Sequence, residues 1–281
     1  MKIIKIFIKK IRLVFNFFGI QVSRFETESN RSRNLKFDKW ETLTEFLVIH
    51  FNRQRLGLIC AHEADFVEFV VNNFKKSRSQ FFQDLMVLFL LQKKENGFFV
   101  EFGATNGISF SNTHLLENCF NWSGVLAEPG KVWHKDLVDN RNCQIDFRCV
   151  WSLTKKQLMF NETECAELST INELTAKDGL AFGRISNKRY IVETVSLNDL
   201  LLEHNVPSQI DYLSIDTEGS ELSILQSFNF SGYQIGVISI EHNFHESDRG
   251  EIFELLSNNG FERVFVEYSH CDDWYISTRL V

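Results

Sequence analysis

Residues 97–107 read Gly97-Phe98-Phe99-Val100-Glu101-Phe102-Gly103-Ala104-Thr105-Asn106-Gly107. The first half is a short apolar run of strand-forming residues. It runs into two glycines spaced G-x-x-x-G, where the chain can turn sharply and bring its backbone close to a ligand. Working outward, the same rhythm recurs. Ser109-Phe110-Ser111 offers helix caps ahead of an amphipathic stretch to Phe120. Gly124 to Ala127 is a second apolar run, stopped by Glu128-Pro129, and a helix is predicted through Trp133, Leu137 and Asn140. Gln144 to Val150 reads as a third strand, and Ser196 starts a helix that reaches Asn205. Tyr212 to Ile215 is a fourth strand ending at Asp216, followed by a helix from Ser220 to Gln226. Gly236 to Ile240 is a fifth strand ending at Glu241. A helix over Glu251 to Asn259 and late strands at Phe261–Glu267 and Trp274–Ser277 complete the pattern. Residues 152–188 follow neither period and read as a local excursion.

Strands alternating with helices imply an α/β fold with a doubly wound, mostly parallel sheet. Ligands in such sheets bind beyond the carboxyl ends of the strands, near the point where strand order reverses. Three of the predicted strands end in an acid, Glu128, Asp216 or Glu241, and Glu101 sits near the end of another. Ahead of this region, residues 41–95 carry apolar residues at helical spacing, such as Phe66, Phe69, Val70 and Phe74. The expected organisation is a basic amphipathic helix over 1–24, a linker and helical extension over 25–95, and the main domain over 96–281.

Charge and cysteine usage narrow the partners. The net charge is −7, yet residues 1–24 hold six cations and no acid, which leaves −13 for the rest. An acidic body excludes nucleic acid as the main partner, because phosphate binding needs a clustered basic face. The six cysteines form no C-x-x-C pair, so no zinc site is expected, and a chain of this size without a convincing export signal is not expected to carry a disulfide framework. The opening MKIIKIFIKKIRLVFNFFGIQV (1–22) mixes cations into its apolar run. That fits neither a cleaved signal nor a spanning helix. It suits peripheral contact with an anionic membrane surface, or packing against the main domain. The expected location is cytoplasmic, with the inner face of the membrane as the place of any such contact.

Four constellations carry chemistry. The glycine turn after the first strand lacks the G-x-G-x-x-G of a dinucleotide site, so no pyrophosphate cradle is expected. Glu128, at the next strand end, is placed to accept both hydroxyls of a ribose. In Asp216-Thr217-Glu218-Gly219-Ser220-Glu221 an acid closes a buried strand and Gly219 opens a helix, with Glu218 and Glu221 on one helical face. Glu241-His242-Asn243-Phe244-His245 clusters acid, imidazole and amide after the fifth strand. His242 is a candidate general base. Asp216, Glu241, His242 and Asn243 could position a hydroxyl, or hold a divalent cation through oxygens. No dense ligand cluster is visible in the sequence, and no residue is assigned as a metal ligand.

FFVEFGATNGISFSNTHLLENCFNWSGVLAEP (98–129), YLSIDTEGSELSIL (212–225) and ISIEHN (238–243) together resemble the FkbM-type methyltransferases. The motifs stand in order over about residues 97–268. Asn121-Trp122 replaces the usual Gly-Trp pair, and 152–188 matches weakly, so adenine contacts are not placed. The resemblance implies a Rossmann-like class I methyltransferase fold and transfer of a methyl group from S-adenosyl-L-methionine to a hydroxyl of a sugar, a glycan or a related natural product. Under it Glu101, Gly103, Ala104, Gly107, Asn112 and Glu128 would bind the cofactor. Asp216 and Glu218 would stand where cofactor and acceptor meet, with Asp216, Glu241 and His242 catalytic. Two other classes remain open. A nicotinamide-dependent oxidoreductase would need the absent G-x-G-x-x-G turn. A non-enzymatic, membrane-associated interaction protein on the same fold would not need the strand-end acids that are present.

Overall fold

Runs that are apolar on both faces need cover on both sides, and the element order provides it. The computed structural model describes residues 39–174 and 186–280, all within one unit, Phe37–Val281. The helix expected over 1–24 lies outside the described residues. The strands are β1 (Phe98–Phe102), β2 (Ser123–Ala127), β3 (Gln144–Asp146), β4 (Cys149–Trp151), β5 (Gln157–Thr163), β6 (Thr170–Ile171), β7 (Ser186–Ser196), β8 (Gln209–Ile215), β9 (Gln234–Glu241), β10 (Phe261–Val264) and β11 (Asp272–Ser277). Seven of them form one sheet in the order β10-β11-β9-β8-β1-β2-β3. Every strand in it runs parallel to its neighbours except β11, which is antiparallel to both β9 and β10. The chain leaves β1 toward β2 and β3, then returns to β8 on the other side of β1. The β1–β8 junction is therefore the reversal point.

The helices are α1 (Lys39–Arg55), α2 (Ala61–Asn73), α3 (Gln83–Leu90), α4 (His114–Phe120), α5 (His134–Asn140), α6 (Leu197–Glu203), α7 (Glu221–Gln226) and α8 (Glu246–Asn258). On one face Phe99, Tyr212, Val237 and Trp274 pack against Phe46, Phe66, Leu85 and Leu116 from α1 to α4. On the other, Val100, Leu213 and Ile238 pack against Leu200, Ile224 and Ile252 from α6, α7 and α8. Two covered faces make the sheet doubly wound, in the Rossmann-like manner expected. The helical segment before β1 thus shares a core with the sheet. Many of its phenylalanines are spent in that core: Phe66 stacks on Phe265 at 4.2 Å and meets Phe46 and Trp274 edge-on at 5.6 and 6.1 Å. Burying one such ring contributes roughly 1.5–3 kcal/mol. Among the described residues no helix is long and apolar enough to cross a membrane.

Two expectations need correcting. Gln144 to Val150 is not one strand: β3 belongs to the main sheet, and after Phe147-Arg148 the chain enters β4 of a second sheet. The described part of 152–188, residues 152–174 and 186–188, is not irregular either. β5 and β6 lie there with the start of β7, and the four strands form a separate sheet in the order β4-β7-β5-β6. As expected, Ser196 caps α6, its hydroxyl accepting the Asp199 N–H at 3.1 Å.

Candidate active site

Strand alternation decides which side chains reach the carboxyl edge. Phe99 and Glu101 of β1, and Tyr212 and Ser214 of β8, share the face covered by α1 to α4. Beyond β1 the chain bends through Gly103, at φ +74°. A methyl group added at Gly103 would lie 2.2 Å from the Asp216 carbonyl oxygen, so only glycine lets the bend pass over the end of β8. Gly103→Ala should destabilise the fold by at least about 3 kcal/mol, combining left-handed strain with the clash. Thermal melting would register that as a drop on the order of 10 °C.

Thr105 continues the bend at φ 47°, a left-handed conformation rare for a β-branched residue. Glu128, from the end of β2, holds it there. One carboxylate oxygen accepts the Thr105 N–H at 2.9 Å and the other accepts the Gly130 N–H at 2.7 Å. Glu128 is 5% exposed. Burial pushes its carboxyl up to about 7, against the pull of the two N–H donors. The glycine turn and the acid of the neighbouring strand are thus one unit.

Glu101 points the other way. Its carboxylate accepts the Ser111 and Thr113 hydroxyls and the Asn112 N–H, and it stands 3.7 Å from the guanidinium of Arg141. Arg141 has a fully buried side chain and donates to the Gly107 carbonyl, Ser111, Thr113 and Glu117. A side chain at Gly107 would strike Arg141 and Leu137, so this glycine makes room for the buried cation. Glu101 and Gly107, expected among cofactor contacts, therefore brace the bend from behind. Ala104 is wholly buried, which leaves its backbone as the part that could meet a ligand. The Asn112 amide donates to Ser214 at 2.9 Å, joining a buried chain of hydroxyls that runs on through Ser239 to Tyr212.

Across the reversal point the carboxylates of Asp216, Glu218 and Glu241 converge, with oxygens all within 4.8 Å of one another. The sequence showed no such dense cluster, because 23 residues separate Glu218 from Glu241. Burial and mutual repulsion hold the Asp216 and Glu241 carboxyls well above their ordinary range. The Asn243 amide donates to Glu241 at 2.7 Å and to Glu218 at 3.3 Å. Glu218 is held at φ 56°, a second strained position on the cleft.

His242 does not join this group. It is 5% exposed. Its Nε2 donates to the Asp272 carbonyl at 3.1 Å and its Nδ1 accepts the Phe244 N–H at 3.0 Å. Both contacts suit one neutral tautomer, and burial lowers its proton affinity. With both nitrogens engaged by the main chain, the expected role as general base has no free atom to perform it. The carboxylates next to it keep that capacity.

Sequence reasoning missed the second sheet's part in the site. The Tyr190 hydroxyl accepts the Lys131 N–H and donates to Glu162, each at 2.9 Å, beside the Glu128 loop. The Thr170 hydroxyl donates to the Glu218 carbonyl at 2.9 Å. One small sheet therefore touches both the loop after Glu128 and the main chain of the acidic cluster. The separation of Tyr190 from Lys131, 59 residues, left no local signal.

The chain matches the family model described as methyltransferase FkbM domain over residues 101–263, more than half its length. A search of curated proteins returned no match. Among solved structures it is similar to a precorrin-6y C5,15-methyltransferase from Geobacter metallireducens GS-15, with a TM-score of 0.36, 13% identity, and coverage of 69% of this chain and 85% of that one. It is also similar to a fibrillarin/Nop5p complex, with a TM-score of 0.35, 13% identity, and coverage of 71% and 81%. At that level of likeness the family match carries the identification.

Proposed function

The chain belongs to the FkbM methyltransferase family, and from that premise we propose that it moves a methyl group from S-adenosyl-L-methionine to a hydroxyl oxygen of a sugar, a glycan or a related natural product. The observation that carries this reading is the 2.9 Å bond from the Thr105 N–H to Glu128, which joins the glycine bend and the β2 acid into one cradle. The residues fit the cofactor. Each Glu128 oxygen takes one main-chain donor, which leaves it a lone pair for a ribose hydroxyl. Gly103 and the Asp216 backbone meet so closely that no side chain intrudes between β1 and β8.

S-adenosylmethionine supplies a methyl group on a sulfonium, open to in-line displacement by oxygen. The protein's residues supply the alignment, which can lower the barrier by up to about 7–11 kcal/mol in the best cases. Asp216 and Glu241 orient the acceptor hydroxyl and take its proton as the carbon–oxygen bond forms. Their raised proton affinity suits them to that task. A net negative cleft also favours a cationic cofactor.

Calorimetric titration of the full chain tests the reading. S-adenosylhomocysteine should give saturable heat and NADH none, and silence with S-adenosylhomocysteine would overturn it. Asp216→Asn should keep the melting temperature, since it relieves repulsion among three crowded carboxyls, yet reduce turnover by on the order of a hundredfold. Wild-type turnover in that variant would remove Asp216 from the reaction.

A further inference from the structure

We propose that Asp216, Glu218 and Glu241 form a binding site for a divalent cation of the magnesium or manganese type, completed by a neighbouring buried amide. The role this gives the cation, holding the acceptor oxygen at the cluster, rests on the methyl-transfer reading above. The site itself does not.

Three carboxylates from two adjacent strand ends offer oxygens within 4.8 Å of one another. A cation bound at about 2.0–2.6 Å from each oxygen fits between ligands so spaced, and hard divalent ions choose an all-oxygen set. Three carboxylates held this close repel one another, and a bound cation would relieve that repulsion.

A second observation, independent of the acids, points to a ligand in the same place. Asn161 of β5 is wholly buried, yet neither its amide oxygen nor its amide nitrogen has a hydrogen-bond partner. Leaving an amide dry and unpaired costs on the order of 1–3 kcal/mol. Asn161 stands directly opposite Thr170 across the β5–β6 ladder, so the two side chains share one face of the small sheet. Thr170 uses that face to reach the Glu218 carbonyl. Asn161 therefore lies on the face of the small sheet that meets the Glu218 main chain, and in the proposed site its unmet amide oxygen ligates the cation or accepts from the ion's water. Asn112 adds a second case. It is buried, its amide nitrogen binds Ser214 two residues before Asp216, and its amide oxygen has no partner. Two stranded acceptors thus lie on elements that touch the acid-bearing segments, one opposite Thr170 and one bonded to Ser214.

The test uses the full chain treated with chelator and then titrated with Mn2+ alone, followed by the loss of the free-ion EPR signal. One Mn2+ should bind per chain, Mg2+ should displace it, and the melting temperature should rise by several degrees and return with EDTA. Glu218→Gln and Glu241→Gln should each weaken Mn2+ at least tenfold, and Asn161→Ala several-fold. An unmoved melting temperature, or no Mn2+ bound at millimolar concentration, overturns the inference. So does Mn2+ affinity unchanged in both glutamine variants, since the ion then sits elsewhere. S-adenosylhomocysteine is titrated separately into metal-free wild type. Cofactor binding without Mn2+ binding sinks this site and leaves methyl transfer standing, and the reverse result sinks methyl transfer and leaves the site.

Discussion

Replacing Glu128 by alanine should cost at least about a hundredfold in affinity for S-adenosylhomocysteine. Two hydroxyl-to-carboxylate bonds are lost, each worth about 1.5–3 kcal/mol, and the Thr105 N–H loses the partner that holds its left-handed turn. Calorimetry at fixed pH reads the change directly, and affinity within threefold of wild type would refute the ribose assignment. The same carboxyl sets a pH dependence. Its folded value of about 7 lies above the ordinary 4.5. Between those two values the folded state keeps a proton that the unfolded state has released, so the group's contribution to stability falls as pH rises from about 4.5 to about 7. Ligand hydroxyls prefer the ionised form, so apparent affinity should climb over the upper part of that window. Glu128→Gln should flatten both profiles.

Arg141→Met should be the most damaging single change to the fold away from the glycines, costing about 3–5 kcal/mol by denaturant unfolding. The guanidinium is fully buried, faces Glu101 and Glu117, and lies 5.4 Å from the centre of the Phe99 ring. Methionine fills most of the volume but leaves two carboxylates buried without their cation. Adding Glu101→Gln to that variant should recover part of the loss, because it removes one of the stranded charges. Additive losses in the double variant would show that the pair is not coupled.

These two residues also mark how far the amino-acid order could be read. Glu128 was legible because a strand, an acid and a proline follow one another within six residues, and strand-end position implies the cleft. Arg141 was not, because its partners at Glu101, Gly107, Ser111, Thr113 and Glu117 come from other elements. A buried carboxylate and a tight glycine serve a ligand or a hidden cation equally well on paper, and in the structure both Glu101 and Gly107 contact Arg141. The Ser111-Asn112-Thr113 triplet shows what it does only when all three are seen turned on Glu101.

Strands β1, β2, β8 and β9 were plain because their runs are mostly apolar, whereas β3, Gln144-Ile145-Asp146, holds one apolar residue and was read as continuing to Val150. The second sheet was hidden because Asn161, Glu162 and Thr163 are polar yet buried, which erases the alternation that betrays a strand. His242 misled for a related reason. An imidazole next to an acid reads as a base until its nitrogens are found donating to one carbonyl and accepting from one amide.

The turn at Thr105 is fastened by the protein's own bonds before any cofactor arrives. On the proposed cofactor reading, little chain entropy remains to be lost there on binding, so the encounter should need no folding step and entry should approach the rate set by diffusion and orientation. Weakening the Glu128 clamp should then shorten the residence time of the bound nucleoside far more than it slows arrival.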